Sequence, residues 1–234
     1  MSVLSVLDPA VTVAHAVVSS IAQVLPTALA IVLFVLAVRL CLHPLARAAA
    51  RGEKARSKLA PKVAELNTKH KNNPEKAREA LAELYRKEQV SPFAGCLPML
   101  VQIPFFSVMY RLFTTPNDLL DHTLFGVPLG LHIGNAHGAG QFAVFAVLEA
   151  GLAAVGYVNY RRARRAAAAA AATQATPQPG AALMPYLSFA SVLFALLVPV
   201  AAALYLVTTS VWSASERAWL YRGTGQVPAT ALAV

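Results

Sequence analysis

The chain has 234 residues, of which 57% are hydrophobic and only 13% are charged. A soluble domain is roughly 45–50% apolar and about 25% charged, so one globular core of this length could not bury so much apolar side chain. This composition excludes most soluble enzymes and indicates a membrane protein. Lys and Arg number 20 against 11 Asp and Glu. We expect the resulting net charge of +9 to govern orientation in the membrane.

Residues 1–20 precede the first long apolar run and contain no Lys or Arg. A secretory signal needs a positively charged start, and organellar presequences are rich in arginine, so the sequence favours neither. We therefore expect a short external N-terminus here. The first membrane span, 21–43, should be retained in the protein.

Three apolar runs are each long enough for one membrane-spanning helix, which needs roughly 20 residues. They cover residues 21–43, 93–113 and 141–160. Seven alanines follow the third run in the basic segment 161–182 and could extend its helix beyond the membrane.

A fourth apolar run, 183–212, contains no charged residue, and as a single helix it would be too long for one upright span. Pro199 interrupts it, and a proline inside a helix removes a backbone hydrogen bond and clashes with the preceding turn. We predict two short spans, 183–198 and 199–220, with the turn at Pro199. Spans this short thin the bilayer around them.

The distribution of Lys and Arg predicts the topology. Residues 44–92 contain 12 of these cations, 161–182 contain 4 and 213–234 contain 2, whereas 1–20 and 114–140 contain none. Basic segments stay in the cytoplasm, which places the N-terminus outside and the C-terminus inside. The predicted order is an external N-terminus (1–20), spans at 21–43, 93–113, 141–160, 183–198 and 199–220, an external segment (114–140), and cytoplasmic segments at 44–92, 161–182 and 221–234.

The segment 44–92 is the one long polar stretch, and narrow apolar stripes at helical spacing run through 59–66 and 77–84. Between them, Asn73 suits the N-cap of a new helix and Pro74 its first position. Two helices joined by a short turn is the simplest interpretation, and a solvated loop is the alternative. A basic arm of this kind would suit ribosomal RNA, lipid headgroups or the incoming chain.

Polar residues within the predicted spans collect on the cytoplasmic side, whereas the outer halves of the last two spans are apolar. Arg39 lies about 6 Å from the inner end of the first span. It either extends to the headgroups or forms part of a functional site. This one-sided polarity favours a cavity open to the cytoplasm over a continuous pore. The other predicted members of the cavity are Gln102, Asn159, Thr208, Thr209 and Ser213.

Two further charges lie within the predicted spans. Glu149 is near the middle of the third span and Arg111 near the outer end of the second. Two arrangements are open. In one, Glu149 and Arg111 form an intramembrane charge pair; in the other, Glu149 faces the Arg39 cavity. The histidines lack metal-ligand spacing, and no catalytic or phosphate-binding motif occurs, so we expect neither a metal nor a cofactor.

Two blocks resemble the YidC-type membrane protein insertases, the superfamily that includes the Oxa and Alb proteins. The first is VRLCLHPL at 38–45, and the second is VSPFAGCLPMLVQIPFFSVMYRLF at 90–113. Between them, residues 59–88 resemble the cytoplasmic helical hairpin of that family. The similarity runs in order over roughly 27–222.

The resemblance implies an all-α polytopic insertase of the bacterial plasma membrane, with five helices around a hydrophilic groove that is closed on the outside. It places the groove arginine at Arg39 and a groove aromatic at Trp212. It implies nascent membrane proteins as clients, the ribosome and the Sec translocon as further partners, and no enzymatic reaction. The alternatives are a small solute transporter or channel, and an assembly factor that inserts nothing.

Overall fold

The computed structural model describes residues 7–90, 97–173 and 183–222, and most of them are helical. Three short 3₁₀ helices and one pair of two-residue strands complete the described elements. In chain order these are α1 (Asp8–Ala22), α2 (Thr27–Lys69), α3 (Pro74–Lys87), α4 (Leu97–Thr114), a 3₁₀ helix (Asp118–Asp121), β1 (Thr123–Leu124), β2 (Val127–Pro128), a 3₁₀ helix (Ile133–Asn135), α5 (Ala139–Thr173), a 3₁₀ helix (Met184–Phe189), α6 (Ala190–Ala195) and α7 (Val200–Leu220).

The first predicted span and the start of the cytoplasmic segment form one helix. α2 runs for 43 residues, with Pro44 and Pro61 inside it. It begins at Thr27 and not at residue 21, because residues 21 and 22 complete α1 and a turn at 23–26 separates the two helices. α2 and the stretch Ala139–Ala168 of α5 are the two described helices that are long and apolar enough to cross a membrane.

A second helix folds back along the end of α2. The Asn73 side chain accepts a hydrogen bond from the backbone N–H of Lys76 at 3.1 Å, and Pro74 occupies the first turn, which confirms the predicted helix start. Lys62 Nζ donates to Glu88 Oε1 at 2.6 Å, linking the two helices at the far end of α3. Residues 59–87 therefore form a helical hairpin.

The fourth apolar run is divided at Pro199, as predicted. α6 ends at Ala195 and α7 begins at Val200, with Pro199 as its N-cap residue. The helical part before the break, Met184–Ala195, is short and begins as a 3₁₀ helix. At about 1.5–2 Å rise per residue it is well below the roughly 30 Å of a bilayer core.

The segment between α4 and α5 contains the one pair of strands in the described part of the chain. β1 and β2 pair antiparallel through a two-residue turn at Phe125 and Gly126, whose φ angles are +51° and +79°. Positive φ at both positions matches the twist of a tight hairpin. Strands of two residues are too short for an alternating pattern, and so the sequence did not reveal them.

This segment also packs against the start of α7. The N–H groups of Val200 and Ala201, which open α7, donate to the carbonyl oxygens of Leu131 and Leu129 at 3.0 and 2.9 Å. Two of the N–H groups left unpaired at a helix start thus have backbone partners. The main apolar cluster lies beside this contact and includes Val18, Ile31, Val35, Met109, Phe113, Leu119, Leu129, Phe145, Ala201, Ala203 and Leu206.

Candidate functional site

Arg39 faces α7. Its Nε donates to Thr209 Oγ1 at 2.8 Å, and its Nη2 donates to the same oxygen. Thr209 is only 2% exposed, and the ring of Phe105 on α4 lies with its centre 6.0 Å from the guanidinium carbon. The cation therefore lies between α2, α4 and α7, with a hydroxyl and an aromatic face as its surroundings.

A cavity of about 370 Å³ lies on the other side of Thr209. It is bounded by α4, by α6 with the 3₁₀ helix before it, and by α7. Its lining mixes four polar side chains with aromatic and aliphatic ones. The lining residues are Gln102, Phe106, Leu187, Ser188, Ala190, Ser191, Phe194, Tyr205, Leu206 and Thr209.

One polar group at this cavity, the buried hydroxyl of Ser188, has no hydrogen-bond partner among the described residues. The Tyr205 hydroxyl lies within reach of the side chains of Thr209 and Gln102. Buried hydroxyls without partners are costly, so the cavity favours an occupant that offers hydrogen bonds.

The structure brings together three of the predicted groove residues: Gln102 and Thr209 line the cavity, and Arg39 binds Thr209. The others lie elsewhere. The Thr208 hydroxyl donates to Leu204 O of its own helix at 2.8 Å. Asn159 on α5 and Ser213 and Trp212 on α7 are not in the cavity lining, although Asn159 and the indole N–H of Trp212 are buried.

The structure does not pair Glu149 with Arg111. Arg111 Nη1 instead donates to Asp8 Oδ1, because residues 8–22 form a helix that packs against α4. The sequence predicts an external N-terminus for 1–20 and the start of the first span at 21. The buried Glu149 carboxylate oxygens have no hydrogen-bond partner in the described part of the chain. Glu149 is not in the cavity lining either, so the alternative placement also differs from the structure.

A polar cluster follows the Arg39 contact along α2 and α7, and sequence reasoning did not predict it. His43 Nδ1 donates to Glu216 Oε1 at 2.5 Å. The ring of Trp219 lies 5.6 Å from the His43 ring, and the guanidinium of Arg47 lies 5.6 Å from the Trp219 ring. Helical spacing from Arg39 and Thr209 could have suggested His43 and Glu216, which lie one and two turns further along.

The same contact continues to the end of α7. Lys54 Nζ donates to the carbonyl oxygen of Leu220 at 2.8 Å, and the Tyr221 hydroxyl donates to Glu53. Burial and the neighbouring Glu53 raise the pKa of Tyr221 above its ordinary range, so the phenol stays protonated and can donate. Arg162 on α5 reaches Ala214 O at 3.2 Å. Cations thus satisfy carbonyl groups near the negative end of α7.

No group of three or more His, Cys, Asp or Glu side chains among the described residues is placed to hold a metal ion. The groups at the site offer hydrogen bonds and charge: one half-buried cation, several hydroxyls and an amide beside aromatic side chains.

Comparison with known proteins decides the family. A family model described as 60Kd inner membrane protein matches residues 18–226. The chain belongs to this family. The match covers most of the chain and confirms both the resemblance to the YidC-type proteins and the predicted inner-membrane location.

Individual relatives match a shorter part of the chain. The membrane protein insertase YidC of Caulobacter vibrioides (strain NA1000 / CB15N) is 38% identical over 98 residues, which are 42% of this chain and 16% of that protein. The insertase YidC of Clostridium perfringens is 40% identical over 89 residues, 38% of this chain and 37% of that protein. That of Magnetococcus marinus is 43% identical over 83 residues, 36% of this chain and 15% of that protein. The matched segments thus span well under half of each relative.

Proposed function

We propose that this chain is a membrane protein insertase that receives polar segments of nascent membrane proteins in the cavity beside Arg39. Family membership and the names of its relatives support this activity. The observation that carries the proposal is the contact between Arg39 and Thr209 next to a polar-lined cavity in which the buried Ser188 hydroxyl lacks a partner among the described residues.

Moving a polar segment across a membrane costs free energy because its backbone and charged groups lose their hydrogen bonds to water. Gln102, Ser188, Tyr205 and Thr209 offer replacement hydrogen bonds, and Arg39 offers a positive charge to an acidic segment. The client's own apolar segment would then slide past α4 and α6 into lipid, and its burial would supply the driving force.

We infer the five-span arrangement, with the N-terminus outside, from the distribution of charge described above. In that arrangement the cavity opens towards the cytoplasm, and the outer end is closed by the apolar cluster and by the backbone contacts between 129–131 and α7. The short Met184–Ala195 unit would thin the bilayer beside the cavity and shorten the apolar crossing. The basic residues of the hairpin would contact the ribosome, and the Sec translocon remains a proposed partner.

Site-specific photocrosslinking tests the proposal. A photoreactive amino acid placed at Gln102, in the cavity, should crosslink to a stalled nascent membrane protein in inverted membrane vesicles. The same group at Phe125, which is 91% exposed at the tip of the β-turn, is the control and should give little product. Equal crosslinking from both positions would argue against a client site in the cavity.

Insertion by purified protein in liposomes separates insertion from the alternatives. A client with an acidic external tail should become protease-protected with the wild-type chain and with Arg39→Lys, and much less so with Arg39→Ala or Arg39→Glu. Full activity of Arg39→Glu would contradict a role for positive charge. Solute flux without insertion would instead indicate a transporter, and a defect confined to complex assembly would indicate an assembly factor.

A further inference from the structure

An acidic side chain accompanies the cation of the proposed client site. Glu216 lies seven residues after Thr209 on α7, two helical turns or about 10 Å further along the same face. Its side chain is only 12% exposed. A carboxylate this close to the cavity is unusual for a site that is meant to attract acidic segments.

His43 holds this carboxylate in place. Its Nδ1 lies 2.5 Å from Glu216 Oε1, and it follows Arg39 by four residues on α2. Trp219 packs against the His43 ring at 5.6 Å between centres, which restricts the imidazole. α2 and α7 are therefore joined by two successive side-chain pairs. Arg39 bonds to Thr209, and one to two helical turns further along His43 bonds to Glu216.

Glu216 acts on Arg39 through its charge. The carboxylate attracts the guanidinium, whereas Arg217, the next residue on α7, repels it. The carboxylates of Glu53 and Glu216 both attract the guanidinium of Arg217. Because the groups are largely removed from water, these charges are less screened than they would be on an open surface.

We propose that Glu216 is a specificity-determining residue of the client site, a built-in counter-charge that sets how strongly the cavity beside Arg39 prefers acidic over basic client segments. This inference rests on the proposed function. Glu216 lowers the positive potential in the cavity, so that an acidic tail is attracted without being trapped and a basic tail is still admitted. Electrostatic complementarity of this kind affects selectivity more than it affects overall binding strength.

A purely structural pair of His43 and Glu216 makes a different prediction. Loss of the pair would then lower stability and reduce the insertion of every client equally. A counter-charge instead predicts opposite effects on clients of opposite sign. The deciding measurement is therefore the ratio between two clients, because a general loss of folded protein cancels from it.

The experiment uses the full chain in liposomes and two clients that differ only in the external tail, which carries either two Asp or two Lys residues. Glu216→Gln preserves the shape and the oxygen that accepts from His43 but removes the charge. We expect the ratio of acidic-tail to basic-tail insertion to rise about three- to tenfold. Glu216→Asp, which keeps the charge, should restore the wild-type ratio.

Two further variants complete the test. Glu79→Gln removes one negative charge from the exposed surface of α3 and should leave the ratio unchanged. Ser213→Asp, one turn from Thr209 on α7, adds a negative charge near Arg39 and should lower the ratio, which shows that the assay responds to charge at this site. With that response in hand, an unchanged ratio in Glu216→Gln would overturn the inference.

The same experiment distinguishes a failure of the proposed function from a failure of the inference about Glu216. If the wild-type chain inserts neither client, the insertase proposal is contradicted whatever Glu216 does. If the wild-type chain inserts both and Arg39→Ala lowers the ratio while Glu216→Gln leaves it unchanged, the client site stands and the role of Glu216 is rejected.

Discussion

At the scale of single residues, the Thr209 hydroxyl is notable because its hydrogen bonds are to another helix. A threonine hydroxyl in a helix often bonds to a carbonyl of the preceding turn, as Thr208 does to Leu204. Thr209 instead accepts two N–H groups from one guanidinium. The bonds give a half-buried cation a fixed direction, and they let a client compete for the cation without first breaking an ion pair with a carboxylate.

We expect Thr209→Val to impair the site although it preserves side-chain shape. Hydrogen bonds to charged groups contribute about 1.5–3 kcal/mol, so loss of this acceptor should reduce insertion of an acidic-tail client by about tenfold. Thr209→Ser keeps the hydroxyl and should remain active. Thr208→Val is the matched control, since its hydroxyl bonds only within α7, and an equal loss in both valine variants would contradict a specific role for Thr209.

A charge contact between α1 and the 3₁₀ helix at 118–121 should respond to acid. His15 Nε2 donates to Asp118 Oδ1 at 2.6 Å and lowers the pKa of that carboxyl below its ordinary value of 3.8. A lowered pKa in the folded state means that the contact stabilises the fold at neutral pH and is lost as pH falls through the folded-state value. Hydrogen exchange of α1, corrected for the intrinsic rate, should therefore rise below about pH 4 in the wild-type chain.

The Asp118→Asn variant is the comparison for this measurement. It should exchange faster than the wild-type chain at pH 7, and the two should converge in acid. A difference that persists unchanged at pH 3 would show that the carboxylate charge is not what holds α1 to the 3₁₀ helix at 118–121.

At the scale of elements, the wall of the cavity depends on how closely α5 approaches the 3₁₀ helix before α6. A Cβ at Gly156 would lie 3.0 Å from the Ser188 carbonyl oxygen and 3.1 Å from the Phe189 ring. The absence of a side chain thus permits the contact that positions Ser188 in the cavity lining. Tyr160, one turn further along α5, packs its ring 5.8 Å from that of Phe189 and extends the same contact.

Gly156→Ala should push these two elements apart. We expect a lower melting temperature in detergent and weaker crosslinking from a probe in the cavity, because the nearest atom is backbone and cannot rotate away. Gly151→Ala is the matched control on the same helix, since its Cβ would meet only Val207 at an ordinary 3.5 Å. That variant should be neutral or slightly stabilised by the better helix propensity of alanine. Equal destabilisation of both would contradict the proposed close contact.

The elements that could be predicted are those with a local cause. Asn73 with Pro74, and Pro199, mark helix starts through their own backbone chemistry, and both predictions are confirmed. The failed pair of Glu149 and Arg111 depended on long-range packing, in particular on a helix at 8–22 that brings Asp8 to Arg111. The contact between His43 and Glu216 joins residues 173 positions apart, and no local pattern specifies such a partner.

At the scale of the whole molecule, the proposed arrangement relative to the membrane can be tested by labelling from either side. Phe125 is exposed on the β-turn, and Asn72 is exposed at the tip of the hairpin. After replacement of the native Cys41 and Cys96 by serine, Phe125→Cys should react with an impermeant thiol reagent added outside intact cells. Asn72→Cys should react only after permeabilisation. Labelling of both from outside would contradict the proposed topology.

The two prolines of α2 differ in their mechanical setting. Pro44 weakens one turn of α2. The contacts of His43 and Lys54 with α7 lie on either side of Pro44 and support α2 across this turn. Lys54 binds the carbonyl of Leu220, the last residue of α7. Pro61 lies seven residues further along α2 and is exposed. We therefore expect a force on the hairpin tip to bend α2 at Pro61 while Arg39 stays hydrogen-bonded to Thr209.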